Sequence, residues 1–103
     1  MGLSFYLNLN ENKFYNLFNN SPIKRIGWIR FLRNVIICVG NSEDQNLKED
    51  LIKYAYHPEP IIRGASIWSL GQILSKNDFK ILKKKLFKTE NNSYVIFELN
   101  IKD

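Results

Sequence analysis

A cluster of basic residues raises the question of what this chain binds. Lys24, Arg25, Arg30 and Arg33 lie between residues 22 and 33, and no acidic residue interrupts them. Guanidinium and ammonium groups at this density favour polyanions, because each can neutralise a phosphate. Residues 43 to 59, in contrast, hold five acids and two lysines. The pattern predicts a polarised surface with a polyanionic partner.

The predicted RNA-binding set consists of Lys24, Arg25, Trp28, Arg30, Arg33 and Asn34. Its basic members are expected to contact phosphates, and Asn34 a sugar, a base edge or a neighbouring loop. Trp28 precedes Arg30 and is a candidate for stacking on a base, with core packing as the alternative. Trp68 lies inside an apolar helix, and we expect it in the core.

A second basic block spans residues 76–88, where six lysines accompany one acid, Asp78. The predicted secondary basic face consists of Lys76, Lys80, Lys83 and Lys84, on the side of a helix opposite Phe79 and Leu82. This face is either ordinary solvated surface or an additional contact with a polyanion.

Residues that could perform covalent or metal chemistry are few. Cys38 is the single cysteine, which excludes an intramolecular disulfide, a four-cysteine zinc site and a cysteine-ligated iron–sulfur cluster. We expect it to be a buried small hydrophobe. His57, the single histidine, is expected to be a turn residue, because Pro58 follows it and no ligand or relay partner stands at a suitable spacing. The sequence predicts no catalysis, metal, cofactor or small-molecule substrate for this chain alone.

The length and composition fit one soluble domain. The chain has 103 residues, of which 45% are hydrophobic, enough for a core of its own. The longest apolar run, Val35 to Val39, is far shorter than the roughly 20 residues that cross a bilayer. The start of the chain lacks the features of a secretory signal. We therefore expect a cytoplasmic protein without a membrane partner.

Cap and turn residues divide the chain into about six predicted helices. Helix-start signals occur at Asn10, at Ser21 before Pro22, at Ser42, at Asn77 or Asp78, and at Asn92. The helix that begins at Trp28 is expected to stop at Gly40 and Asn41. The last segment, SYVIFELNI, has β-branched and aromatic residues, but we favour a helix because no partner strand is visible.

Two parts of the chain resemble each other, which indicates a repeat. Residues 32–56 align with residues 62–87 at a spacing of 30, which pairs Arg33 with Arg63. The predicted fold is all-α, a short α-solenoid of HEAT-like repeats, with one domain over residues 1–103 and repeat units at about 28–57 and 58–88. Arg33 is then either an RNA contact or a structural residue. For Arg63 we favour the structural role, binding carbonyls or acids of the next layer.

Several motifs in this order resemble the C-terminal region of tRNA epoxyqueuosine reductases. The matching segments, from about Leu9 to Leu74, include SPIKRIG, RFLRN, GNS and HPEPIIRGASIWSLG. The resemblance implies a HEAT-like module that helps hold the anticodon stem-loop of tRNA. The family reduces epoxyqueuosine to queuosine with cobalamin and two [4Fe–4S] clusters.

The chain departs from that family in the parts that carry the chemistry. The C-x2-C-x2-C-x3-CP cluster motifs and the cobalamin domain are absent from these 103 residues. We therefore expect a detached C-terminal piece, from a split, truncated or mis-started gene, that binds tRNA without catalysing the reduction. The alternative is a protein-interaction module that docks onto a separately encoded catalytic chain.

Overall fold

The computed structural model describes residues 2–101, and these residues form helices joined by short turns. No strand occurs among them. The α-helices are α1 (Leu3–Leu7), α2 (Glu11–Leu17), α3 (Trp28–Ser42), α4 (Lys48–Tyr54), α5 (Pro60–Ile73), α6 (Lys76–Phe87) and α7 (Ser93–Ile101). Short 3-10 helices span Pro22–Ile26 and Gln45–Leu47. The predicted all-α class is confirmed. Helix α1 was not foreseen, and the short helix predicted to start at Ser21 is of the 3-10 type.

Three of the predicted helix starts are confirmed by side-chain hydrogen bonds. The Asn10 side chain accepts from the Lys13 amide at 2.8 Å, and Ser21 Oγ accepts from the Ile23 amide at 3.2 Å. Asn92 Oδ1 accepts from the Tyr94 amide at 3.0 Å, and the last segment is helical as predicted. Each cap satisfies a backbone donor that the first turn of a helix leaves without a partner.

Three predicted helix boundaries are wrong. Helix α3 continues through Gly40 to Ser42, and the left-handed residue is Glu43, with φ of 54°. Ser42 therefore ends α3 instead of starting the next helix, and its hydroxyl donates to the Val39 carbonyl at 2.7 Å. At the start of α6 the cap is Ser75, whose Oγ accepts from the Asp78 amide at 3.1 Å.

The central contact of the fold joins α3 and α5. Helix α5 also packs on α4 and α7, and α1 packs on α3. The backbones of α3 and α5 approach closely at Gly40, where an added Cβ would lie 2.6 Å from Ser69 Oγ. Ser69 Oγ donates to the Ile36 carbonyl at 2.7 Å in this buried contact. The extents of 43 × 27 × 17 Å give a slab whose thin direction fits two packed helices.

The apolar run of α3 is buried on more than one side, as expected for a helix between neighbours. Val35, Ile36 and Val39 are buried, and Ile37 is half-buried. Cys38 is exposed, so the prediction that it is a buried hydrophobe is wrong. The reason is helical geometry, because residue 38 falls on the same outer face as Asn34 and Asn41, which are exposed too.

Arg63 has the structural role that the repeat predicts. Its guanidinium binds both carboxylate oxygens of Glu90, in the turn before α7, and Nη1 donates to the carbonyls of His57 and Pro58 at 2.9 and 3.0 Å. Hydrogen bonding to Arg63 lowers the pKa of Glu90. His57 lies in the preceding turn, as predicted, and its Nδ1 accepts from the Glu59 amide at 3.0 Å.

Within residues 2–101, no helix is both long enough and apolar enough to cross a membrane.

Candidate nucleic-acid interface

A groove lies between α2 and the segment that begins α3. It consists of two concavities of about 600 and 570 Å³ that share Tyr15 and Arg25 in their linings. Trp28 and Arg30 line the first, and Lys24 lines the second. We call these two concavities, with the five residues Tyr15, Lys24, Arg25, Trp28 and Arg30, the basic groove.

Local backbone geometry brings the basic side chains to this opening. Pro22 and the Ser21 cap start the 3-10 helix that holds Lys24 and Arg25. Gly27 then links it to α3 with φ of 87°, a conformation that favours glycine because other residues carry a Cβ. The change of direction at Gly27 places Arg25 and Arg30, from two different helices, in the lining of one concavity.

A cluster of aromatic rings packs behind the residues that line the groove. Phe14 is fully buried, and its ring centroid lies 4.9 Å from that of Phe31 and 5.8 Å from that of Trp28. Trp28 is half-buried and packs against the core. Trp28 therefore packs in the aromatic cluster, the alternative considered for it, and it also lines the groove, while its stacking on a base stays a prediction.

The groove carries positive charge from side chains and from backbone. Lys24, Arg25 and Arg30 are exposed. The first turn of α3 has neither an acidic residue nor a side-chain cap at Gly27, so the helix dipole adds partial positive charge there. Glu11 is the acid in the groove lining. Helix N-termini with this character favour phosphate groups.

The other two members of the predicted set lie outside the groove. Asn34 is exposed on the outer face of α3, and its Oδ1 is 3.5 Å from Arg33 Nη1. Arg33 is half-buried and lines a separate cavity of about 260 Å³, together with Trp68, Tyr94 and Glu98. We call this the Arg33 cavity. Unlike Arg63, Arg33 has no acidic partner among residues 2–101.

The prediction that Trp68 lies in the core is wrong. It is half-buried and lines the Arg33 cavity, whereas Trp28 packs against the core cluster. Sequence reasoning also missed Tyr15 and Glu98, since each lines its cavity beside residues that are distant in the chain. The spacing of Tyr15 from Phe14 and Phe18 gives no signal that it faces a basic segment.

The secondary basic face is smaller than predicted. Lys76, Lys80 and Lys84 are exposed on α6, whereas Lys83 is 8% exposed. The Lys83 ammonium lies 4.9 Å from the centroid of the Phe79 ring, a cation–π contact. Lys83 therefore packs against the protein, because it follows Phe79 by one helical turn and shares its inner side.

Residues 2–101 contain no group of three or more histidine, cysteine or acidic side chains that could hold a metal ion.

The fold and the groove define an all-helical protein with a basic, aromatic-backed surface. An epoxyqueuosine reductase of Salmonella typhimurium (strain LT2) is 27% identical to this chain over 93 residues, which cover 90% of the chain and 24% of that protein. The chain therefore spans about a quarter of the length of the relative. No family model and no solved structure matches the chain.

Proposed function

We propose that this chain is a non-catalytic, tRNA-binding module of the HEAT-like type that positions an anticodon stem-loop for queuosine formation. In this proposal the chain acts in the cytoplasm and holds no cofactor itself, and the reduction belongs to a different polypeptide or domain. The similarity over 90% of the chain to an epoxyqueuosine reductase supports this class of function.

The observation that carries the proposal is the convergence of Lys24, Arg25 and Arg30 on one groove. These three exposed cations come from the 3-10 helix and from α3, yet they line adjoining concavities. An RNA backbone that follows the groove would meet a phosphate-binding side chain in both parts of it, and the start of α3 between them.

The packing order supports the HEAT-like part of the proposal. Helix α5 contacts both α3 and α7. Both contacts include a glycine against which the other helix packs tightly, since a Cβ at Gly40 would meet Ser69 and a Cβ at Gly64 would meet the Tyr94 side chain. In an α-solenoid, each helix is expected to make the same kind of contact with the helix two places before it and with the helix two places after it.

Filter retention of labelled tRNA at low and moderate salt tests the proposal. The single changes Lys24→Glu and Arg30→Glu should each weaken binding by about tenfold, because each replaces a phosphate contact by a repulsive charge. The matched control is Lys53→Glu, which makes the same change on the exposed side of α4, outside the groove. Absence of binding, or equal losses in all three variants, would refute the proposal.

A second candidate function is docking onto a separately encoded catalytic chain. The supporting observation is an apolar face of α7, where Tyr94, Phe97 and Ile101 are 44%, 62% and 53% exposed at helical spacing. Co-purification with a cobalamin or iron–sulfur protein, lost on Phe97→Ser and retained on Phe87→Ser, would favour it. Phe87 is an exposed phenylalanine of α6 and serves as the control.

A further inference from the structure

Helix α7 has large apolar side chains on the side that faces away from the core. Val95 and Leu99 are buried, whereas Phe97 and Ile101 are 62% and 53% exposed. Ser93 lies one helical turn before Phe97 and is exposed too. Ser93, Phe97 and Ile101 follow one another at intervals of four residues, so they form one row along the helix, which we call the α7 stripe.

The sequence around the α7 stripe lacks basic residues. Residues 89–101 contain no lysine or arginine, although the whole chain has 15 of them and a net charge of +5. The two acids of this segment are Glu90, which binds Arg63, and Glu98, which is half-buried. Two copies of the chain can therefore approach each other through α7 without bringing their cations together. The same lack of cations disfavours RNA as the occupant of this face.

The exposed apolar side chains of α6 have a different electrostatic environment. Ile81 and Phe87 are 49% and 43% exposed. Lys80, Lys84 and Lys88 are exposed at nearby positions of the same segment. A second copy that docked on α6 through the same residues would bring these lysines against those of its partner, which is unfavourable. The α7 stripe is therefore better suited to self-association than α6.

The order of side chains in the α7 stripe suits a two-fold axis at Phe97. In a two-fold dimer the same patch serves both copies, so the residues before and after the axis must complement each other. If two α7 helices pack antiparallel about this axis, the two Phe97 rings meet, and Ser93 of each copy lies opposite Ile101 of the other. A small side chain opposite a large one at both ends lets the helices interdigitate.

We propose that the α7 stripe is the interface of a homodimer, in which a second copy of this chain covers it. The interface is small, because a stable complex buries about 800 Å² on each partner and the stripe has three side chains. The dimer is therefore weak, with a dissociation constant above about 1 µM, and forms as the protein concentration rises. This inference does not rest on the proposed RNA binding, since the cations of the basic groove belong to other elements than α7.

Sedimentation velocity of nuclease-treated protein, over concentrations from about 1 to 500 µM, tests the dimer. The weight-average mass of the wild type should rise from that of the monomer towards that of the dimer. Phe97→Ser should raise the dissociation constant at least about tenfold, because it removes a ring that both copies bury. Ile101→Ser should raise it as well. Phe87→Ser, the same change at an exposed phenylalanine of α6, is the control and should leave it unchanged.

A mixture of two charge variants tests the position of the axis. Phe97→Lys and Phe97→Glu should each be monomeric, because each places two like charges opposite each other in the dimer. Mixing the two should restore association, since position 97 of one copy meets position 97 of the other. Circular dichroism checks that both variants are folded, which is expected because the side chain is exposed. Absence of association in the mixture would overturn the proposed axis.

Other outcomes would overturn the dimer itself. A wild-type protein that stays monomeric up to about 500 µM excludes it. Association that survives Phe97→Ser, or that is lost only in Phe87→Ser, excludes α7 as the interface. A monomeric wild type that co-purifies with a cobalamin or iron–sulfur protein through Phe97 assigns the face to a catalytic chain instead. Filter retention of tRNA measures the basic groove separately, so failure of the dimer and failure of the proposed function are distinguishable.

Discussion

Arg63 binds Glu90 through two parallel hydrogen bonds, Nε to Oε1 and Nη2 to Oε2, each 2.8 Å long. The pair is largely shielded, since the side chains are 16% and 6% exposed. Because Nη1 also donates to the carbonyls of His57 and Pro58, one guanidinium connects α5 to the turn before it and to the turn before α7. This geometry requires the planar fork of arginine.

Replacement of Arg63 should therefore destabilise the fold. We expect Arg63→Ala to lower the free energy of unfolding by about 3 kcal/mol, because it leaves the Glu90 carboxylate shielded from water without its partner. Arg63→Lys should recover part of the loss, as an ammonium cannot make the same set of bonds. Urea unfolding followed by circular dichroism measures both. A loss of less than about 0.5 kcal/mol for Arg63→Ala, typical of surface sites, would contradict this role.

The same pair predicts how stability depends on pH. Hydrogen bonding to Arg63 lowers the pKa of folded Glu90, so the unfolded chain binds its proton more readily. The stabilisation is present above the ordinary pKa of 4.5 and is lost as pH falls from there through the lowered folded value. Urea unfolding across this window should show a decline that Glu90→Gln reduces.

His57 is the other group of this region that affects how stability depends on pH, so its effect must be separated from that of Glu90. Burial lowers the pKa of folded His57, so its contribution to the free energy of unfolding is lost as pH falls below the ordinary pKa of 6.5. This loss begins at higher pH than the loss of the Glu90 contribution. His57→Gln should flatten the upper part of the profile and leave the lower part unchanged. A Glu90→Gln profile identical in shape to the wild type below about pH 4.5 would refute the linkage.

The close contact of α3 and α5 predicts an unusual response to alanine. Gly40→Ala should destabilise the protein by about 1–3 kcal/mol, although alanine is the better helix former by about 1 kcal/mol, because the new Cβ would lie 2.8 Å from the Ser69 Cα. Cys38→Ala, on the exposed face of the same helix, should have little effect. Thermal unfolding of the two variants decides the matter: increased stability in Gly40→Ala would mean that the helices are not in close contact.

Lys80 and Lys83, three residues apart on α6, provide a matched pair of test sites. Lys83→Ala should lower the free energy of unfolding by about 1–2 kcal/mol, because it removes a buried stem and the contact with the Phe79 ring. Lys80→Ala, on the exposed side, should change it by less than about 0.5 kcal/mol. Equal effects in urea unfolding would contradict the difference in environment.

The features that could be predicted from the sequence are local ones. The caps at Asn10, Ser21 and Asn92 depend on a side chain and an amide two or three residues away, so a short stretch is enough to identify them. Gly40 illustrates the limit of such signals. A glycine near the end of a helix indicates a stop or a close contact with another helix, and only the position of Ser69 decides between them.

Burial within a helix depends on its neighbours and was harder to predict. Trp68 and Cys38 lie in apolar helices, yet one lines a cavity and the other is exposed. The candidate site also combines residues that the sequence predicts with residues whose place depends on helix packing. The charge pattern identifies Lys24, Arg25 and Arg30, whereas the place of Tyr15 in the same groove lining depends on how α2 packs on α3.

The binding of tRNA in the basic groove is tested most directly by the salt dependence of its dissociation constant. For the wild-type protein we predict tight binding at low salt that weakens steeply, and for Lys24→Ala/Arg25→Ala/Arg30→Ala a log–log slope smaller in magnitude by about 2–3, since each phosphate contact contributes roughly 0.7–0.9. Lys53→Ala should leave the slope unchanged. No binding at low salt, or the same slope in the triple variant as in the wild type, would contradict the account.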